Sequence, residues 1–513
     1  LSSPFSDPDF EVLVMICVTI SQESRRLALA DMLNAGGRAD LLEMRLDRFG
    51  KAPEIGEILA AKPKPIIMTC RRTQDGGHWD GAEEDRVAML RQCIISKADY
   101  VEIELDIADQ VRKPPESLKL PTKRIISYTN TNETPKDISR IYAQCQTKQP
   151  DFIKLTTKFQ TVEEAWPLIQ ILAKPTVPTV VLGLGRPGVL LTVLGKKLGS
   201  PWTYAALEKG MEAFDGQPTI DQLESTFHFA AIDRNTRFIG VTGFGELEFV
   251  TIAALNAVFA HMGLPARCLP VPMGKLAPFQ KVLDAAKLSA VIVDAQHRGP
   301  GLEITAEPEE PAKSAESVDV IVRKDDKWAG YNTLWRAAVG SLEAVLKAKG
   351  GSEKPLEGRM IMIVGANALA RTMAYGVKKR GGVPIVASRD PGGAQLVAQM
   401  FQCRHIQFEA MYSTMHDILC VCSEEREKLK DKARSGEAGV HGGYLKPGMT
   451  VMDLANMPHK SSLVKEAGPR GCNVVEPRQI LQAQLELQVR LITGKEPPRD
   501  VIQQALAAAI GDE

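Results

Sequence analysis

Along roughly the first 230 residues, short apolar runs alternate with helix-length amphipathic stretches. The runs are Val12–Ile20, Asp40–Asp47, Pro65–Arg71, Tyr100–Asp106, Arg124–Thr129, Asp151–Thr157, Thr179–Gly185 and Thr203–Leu207. Strands spaced by helix-length segments predict a closed parallel (β/α)8 barrel of the TIM type. Two runs carry ionisable residues at alternate positions: Glu43, Arg45 and Asp47, then Glu102, Glu104 and Asp106. Period two puts each set on one strand face, which in a barrel can point inward. Such charges form either an internal ion-pair lattice or a substrate site at the C-terminal end of the strands.

The pattern changes near Asn235. Arg237–Val241 reads as a strand, Leu247–Met262 as an amphipathic helix and Ser289–Val293 as a further strand. Residues 299–317, rich in Gly, Pro and Glu, read as an exposed and weakly structured connection, and Pro355–Gly358 as a boundary turn. Met360–Val364 followed by Gly365-Ala366-Asn367-Ala368 is a strand, tight turn and helix start, the phosphate-cradling opening of a Rossmann-type unit. Only Gly365 keeps a glycine of that motif, and Asn367 crowds the approach of a pyrophosphate. The next strand, Pro384–Ala387, ends in Ser388-Arg389; an arginine there suits a 2′-phosphate and favours NADP over NAD.

Lys154 stands alone in the apolar run Asp151–Leu155. A lysine there either reaches solvent at the strand end or is desolvated into a nucleophile.

The remaining composition narrows the partners. Lys plus Arg and Asp plus Glu are both 63, so no global field draws the chain to nucleic acid or membrane, and small metabolites are the expected ligands. The nine cysteines are scattered and lack metal spacing, which points to reduced thiols, a cytoplasmic setting and no metal site. No apolar stretch has membrane-spanning length. No leader peptide is visible after Leu1, although the natural start can lie further upstream.

In the order of its motifs the chain resembles the fused type I 3-dehydroquinate dehydratase–shikimate dehydrogenases. The motifs are Met15–Val18, Ala39–Asp47, Asp75-Gly76-Gly77, Ala98–Leu105, Asp151–Leu155 and Gly216–Ile220 in the first half. Gly330–Thr333, Val364–Ala366 and Gln484–Gly494 continue them in the second. The resemblance implies a barrel over 1–233, a shikimate-dehydrogenase-like substrate lobe over 234–345 plus 485–513, and a Rossmann-type NADP lobe over 346–484. It implies Lys154 as the imine-forming residue and Glu43, Arg45, Arg71 and Gln217 as substrate contacts. In the second half it implies Asn332, Gln484 and Arg298 as substrate contacts, and Gly365, Ala366, Asn367, Ala368, Ser388 and Arg389 at the cofactor. The expected substrates are small anions, and the expected assembly a monomer or homodimer.

Several family positions are substituted. Thr129 stands where the general acid/base histidine is expected, Thr192 for a carboxylate-binding arginine, Ala213 for a loop serine, and Asp75 for a glutamate. His78 is the one histidine placed to stand in for the missing one. In the second half Arg298 replaces the catalytic lysine and Leu334 its aspartate, Asp319 an asparagine and Asn456 a tyrosine; Gly243–Glu248 replaces the serine pair. These changes leave open a weakened enzyme, a non-catalytic ligand-binding or scaffold descendant, and a Schiff-base lyase of altered specificity using Glu102 or Glu43.

Overall fold

The computed structural model describes residues 14–350, 352–423 and 439–511; Leu1, Val12 and Leu13 lie outside them. The described residues divide into two compact units, one of residues up to Thr236 with Leu269–Gly274, the other of Arg237–Cys268 and Lys275 onward.

In the first unit the strands are β1 (Met15–Ile20), β2 (Leu41–Arg45), β3 (Ile66–Thr69), β4 (Tyr100–Glu104), β5 (Lys123–Asn130), β6 (Phe152–Lys158), β7 (Thr179–Leu184) and β8 (Trp202–Ala205). They form one parallel sheet in the order β7-β6-β5-β4-β3-β2-β1-β8, a nearly closed barrel as the periodicity predicts. The helices are α1 (Arg25–Ala35), α2 (Ile55–Ala61), α3 (Glu83–Ile95), α4 (Ile138–Thr147), α5 (Val162–Ala173) and α6 (Val189–Leu198). Between β4 and β5 only short 3-10 turns occur, because Pro114, Pro115 and Pro121 deny the segment a continuous run of backbone donors.

The two ends of the barrel differ. Tyr100, Phe152 and Trp202, early in their strands, pack with ring centroids 5.1–5.9 Å apart and plug the N-terminal end with apolar mass. Two residues on from Phe152 the inward position is Lys154, and two further it is Thr156. The register pairs Ser127 with Lys154 and Thr129 with Thr156. Polarity therefore rises along the strands toward their C-terminal ends.

The second unit holds two sheets. One runs β10-β9-β11-β13-β14-β12, built from β9 (Arg237–Thr242), β10 (Ala266–Val271), β11 (Ala290–Ile292), β12 (Glu307–Pro308), β13 (Val320–Lys324) and β14 (Lys327–Tyr331). Among its helices, α7 (Glu246–His261) and α8 (Leu276–Ala285) follow strands, and α9 (Pro300–Glu303) and α10 (Glu310–Ser314) flank β12. The expected loose connection over 299–317 is thus wrong. Its Gly, Pro and Glu residues mask an apolar set, Ile304, Ala312 and Ala315, that is buried and gives the segment a core to fold on.

After α11 (Leu334–Ala348) comes the second sheet, in the order β17-β16-β15-β18-β19-β20 and parallel throughout. Its strands are β15 (Met360–Val364), β16 (Val383–Ser388), β17 (Arg404–Gln407), β18 (Ile418–Val421), β19 (Thr450–Asp453) and β20 (Asn473–Val475). α12 (Ala368–Lys379), α13 (Pro391–Phe401), α14 (Ser462–Ala467), α15 (Pro477–Thr493) and α16 (Arg499–Ile510) complete the unit. Ile361 and Ile363 bury into one core and Met362 and Val364 into another, the signature of a sheet covered on both faces. Gly494 ends α15 in the left-handed conformation, with φ +69°, where a side chain would be strained.

Candidate active sites

Lys154 is fully buried midway along β6, which excludes the solvent-reaching alternative. Its Nζ lies 3.0 Å from Glu43 Oε2 and 3.0 Å from Glu102 Oε2. Arg71 Nη2 donates to the same two carboxylates, at 3.0 Å to Glu43 Oε2 and 3.2 Å to Glu102 Oε2. Two basic and two acidic side chains from β2, β4 and β6 and the end of β3 therefore close a four-membered ion-pair ring across the barrel. Burial by itself would raise the Glu43 carboxyl, but the charges of Arg71, Lys154 and Arg45 overcome it and hold the group well below the usual carboxylate range. Arg45 forks onto Asp47 at 2.9 and 2.6 Å. A third pair, Arg86 of α3 with Glu104 at 2.8 Å, lies behind the strand ends. Of the six alternating residues, Glu43 and Glu102 thus converge on Lys154, while Arg45 with Asp47, Glu104 with Arg86 and Asp106 with Arg72 form the lattice.

Above Lys154 is a cavity of about 140 Å³ whose lining includes Glu43, Arg45, Arg71, Lys154, Thr156 and Tyr204. The ring of Tyr204 faces Lys154, its centroid 4.3 Å from Nζ. The Tyr204 hydroxyl and Thr156 Oγ1 are buried and have no hydrogen-bond partner among the described residues. A buried hydroxyl without a partner costs about 1–3 kcal/mol, so both are poised for ligand oxygens. Neither was singled out from the sequence; the strand period from Lys154 to Thr156 was the available signal.

The substituted positions fall as follows. Thr129 and Ala213 line the cavity. Thr192 is buried on α6 and is not among the lining residues. Gln217 accepts from Ala213 N at 2.7 Å and so braces the loop over the cavity, while its buried Nε2 has no partner among the described residues. His78 is exposed, with Nδ1 3.7 Å from Asp47 Oδ2, and does not line the cavity.

In the second unit a cleft brings together Glu248, Asp294, Arg298, Gln484 and Gln488 over an apolar wall that includes Val241 and Leu481. Arg298 is buried, and that burial draws its pKa down against the opposing charges of Asp319, Asp294 and Glu248. Asp319 accepts from Thr333 N at 2.8 Å, Leu334 N at 2.6 Å and Gln484 Nε2 at 3.2 Å, capping α11. Burial raises its carboxyl in spite of Arg298 and these donors. The sequence comparison recorded Asp319 only as a substitution; the fold makes it a buried carboxylate acting on Arg298. Asn332 is spent elsewhere, donating to Ser317 O and Thr372 Oγ1 at 3.1 and 3.0 Å, and is not in the cleft lining.

The loop after β15 has Gly365 at φ +116°, and a Cβ there would stand 2.7 Å from Ser423 Cβ. Asn367 turns inward: Oδ1 accepts from Ala370 N at 3.1 Å and Nδ2 donates to Cys422 O at 2.8 Å. Its carboxamide thus caps α12 and closes on the end of β18. At the end of β16, Ser388 is buried, and the Arg389 guanidinium lies 4.3 Å over the Phe408 ring with Nε 3.1 Å from Glu409. A glycine turn, a helix N-terminus and an arginine at the second strand end fit a 2′-phosphorylated dinucleotide, with one helix N–H already taken by Asn367.

Residues 16–234 match the type I 3-dehydroquinase family. The chain is 24% identical over 483 residues to the chloroplastic bifunctional 3-dehydroquinate dehydratase/shikimate dehydrogenase of Arabidopsis thaliana, covering 91% of this chain and 80% of that one. It is 29% identical over 219 residues to the 3-dehydroquinate dehydratase of Desulfotalea psychrophila, covering 41% of this chain and 96% of the relative. Among solved structures, the dehydroquinate dehydratase and shikimate dehydrogenase of S. pombe aligns over 96% of this chain and 98% of its own, at 18% identity and a TM-score of 0.42. The first half thus matches the type I 3-dehydroquinase family, and over nine-tenths of its length the chain is similar to a fused dehydroquinate dehydratase/shikimate dehydrogenase.

Proposed function

We propose that the barrel forms an imine between Lys154 and the ketone of 3-dehydroquinate and directs its dehydration. The second unit carries out an NADP-linked ketone–alcohol interconversion of the shikimate-dehydrogenase type. The observation that carries the reading is Lys154 itself, fully buried at the floor of a polar cavity between two carboxylates. Attack requires the free amine, and Glu102, 3.0 Å from Nζ, takes its proton, while Glu43, held well below the usual carboxylate range, stays an anion that keeps the nitrogen in place. The carbinolamine loses water to give an iminium, which draws electrons from the adjacent C–H bond so that the β-hydroxyl can leave as water. Arg45, Arg71, Thr156 and Tyr204 supply donors to the substrate's oxygens, and Gln217 holds the closing loop. Thr129 lines the cavity without a group that titrates near neutrality, so the proton relay is slow.

We take 234–345 with 485–513 as the substrate lobe and 346–484 as the cofactor lobe. Bound NADP(H) supplies the hydride there. Gly365, Ala366, Asn367 and Ala368 would carry its pyrophosphate, and Ser388 and Arg389 its 2′-phosphate. Arg298 and Gln484 orient the reacting oxygen, and Asp319 positions both. No helix of the described residues is long and apolar enough to cross a membrane. We place the chain in the cytoplasm as a monomer or homodimer working on small metabolites.

Borohydride reduction in the presence of 3-dehydroquinate tests the central claim. Mass spectrometry is expected to find the reduced adduct on the Lys154 peptide. An unmodified peptide at saturating ligand would sink the imine mechanism.

A further inference from the structure

The cleft of the second unit contains a buried cation whose hydrogen bonds are not all made. Arg298 is 6% exposed, and its Nε and Nη1 have no partner among the described residues. Gln488, on the facing α15, is 2% exposed, and its Oε1 also lacks a partner among the described residues. Leaving a buried charged donor unmet is costly, so both groups call for a ligand. The ligand must offer an oxygen that accepts from Arg298 and a hydroxyl that donates to Gln488.

The place where an anion would dock in this cleft is already filled. α7 begins at Glu246 with Gly245 as its N-cap, and a helix start of this kind binds carboxylates and phosphates through its free N–H groups. Glu248, three residues after the cap, folds back so that its carboxylate lies against the backbone N–H groups of Gly245 and Glu248; burial and Asp294 push its pKa up, while these N–H groups favour its charged form. The fit is close: a Cβ on Gly245 would lie 2.5 Å from Glu248 Oε2, and one on Gly243 3.1 Å from Glu248 Cγ. Asp294, beside it, is held by Thr242 Oγ1 at 2.5 Å and His297 Nδ1 at 2.6 Å. A ligand carboxylate entering here meets Glu248 and Asp294 before it meets Arg298.

We propose that the cleft takes an uncharged polyhydroxylated ring ketone or its alcohol, with the chain's own Glu248 standing where a substrate carboxylate would otherwise bind. Arg298 receives the ligand's carbonyl or alcohol oxygen, and Gln488 Oε1 and Glu248 accept from its hydroxyls. This deepens the oxidoreductase reading of the second unit by naming its substrate class; the binding preference itself stands on the cleft.

The test uses the full-length chain and two probes that differ only in charge, shikimate and methyl shikimate, titrated calorimetrically. The wild-type protein is expected to bind the methyl ester at least about tenfold more tightly than the acid. Glu248→Gln keeps an acceptor for the helix and removes the charge, so it should bring the ratio close to one. Arg298→Met should abolish binding of the ester, which places that binding in this cleft. Equal or tighter binding of the acid by wild type overturns the inference, as does failure of both probes to bind. A ratio unmoved by Glu248→Gln overturns it as well. Binding of the ester without any NADP+ reduction would instead count against the oxidoreductase reading and leave the substrate class standing.

Discussion

Replacing Lys154 with Met probes the ion-pair ring directly. The substitution keeps the volume and removes the positive end, so Glu43 and Glu102 are left to share Arg71, at 3.0 and 3.2 Å from the same nitrogen. Removing one partner of a buried charge pair costs about 3–5 kcal/mol near neutral pH. For a barrel of this size each kcal/mol moves the melting temperature by about 2–4 °C, so the barrel should melt about 6–20 °C lower. The pH dependence follows from Glu43. Its folded pKa is depressed, so its stabilisation is complete above the unfolded value of about 4.3 and is lost as pH falls below that value. Without Lys154 the depression shrinks and the variant has less to lose on acidification. The gap between wild type and variant should therefore be widest near pH 7 and narrow below about pH 4.3. Hydrogen exchange of peptides from β5 and β6 along a urea series reports on the barrel alone. A variant as stable as wild type at neutral pH, or a gap that widens in acid, would refute the reasoning.

Other outcomes follow from the same geometry. Thr129→His places an imidazole on the cavity wall opposite Thr156, and single-turnover dehydration of 3-dehydroquinate should rise by about 10²-fold or more; an unchanged rate argues against a missing proton shuttle. Gly365→Ala must relieve a 2.7 Å approach to Ser423 at φ +116°, so the cofactor lobe should lose at least about 1 kcal/mol, read by urea denaturation, and bind NADPH more weakly. Arg389→Ala should weaken NADPH about tenfold in a fluorescence titration and leave NADH nearly unchanged; equal losses for both cofactors would remove Arg389 from the 2′-phosphate.

Local patterns carried much of the fold. The barrel strands were legible because each is a short apolar run, two of them with period-two charges, and Lys154 stood out against its neighbours. The β4–β5 connection and residues 299–317 were misjudged for opposite reasons. Prolines removed a helix where spacing implied one, and Gly, Pro and Glu concealed buried Ile304, Ala312 and Ala315. The sites were less legible because their partners are distant in sequence. Glu43 and Lys154 are 111 residues apart, and Gln484 and Asp319 are 165 apart. The fold-back of Glu248 was readable in principle, since Gly245 and Glu248 have the N-cap and N3 spacing. In the sequence that stretch shows only as the loss of a serine pair, not as a helix start that supplies its own carboxylate.

The ring around Lys154 has one more consequence. Counted as ions, Lys154 and Arg71 balance Glu43 and Glu102, so the group is formally neutral before substrate arrives. A protonated imine on Lys154 carries the same single positive charge as the ammonium it replaces. The Lys154 nitrogen therefore carries the same charge in the resting state and in the proposed intermediate, and the one charge newly brought in is the substrate's own carboxylate. The surrounding dipoles need not reorganise when the bond forms, and a cavity floored by fixed charges can hold both states in one geometry.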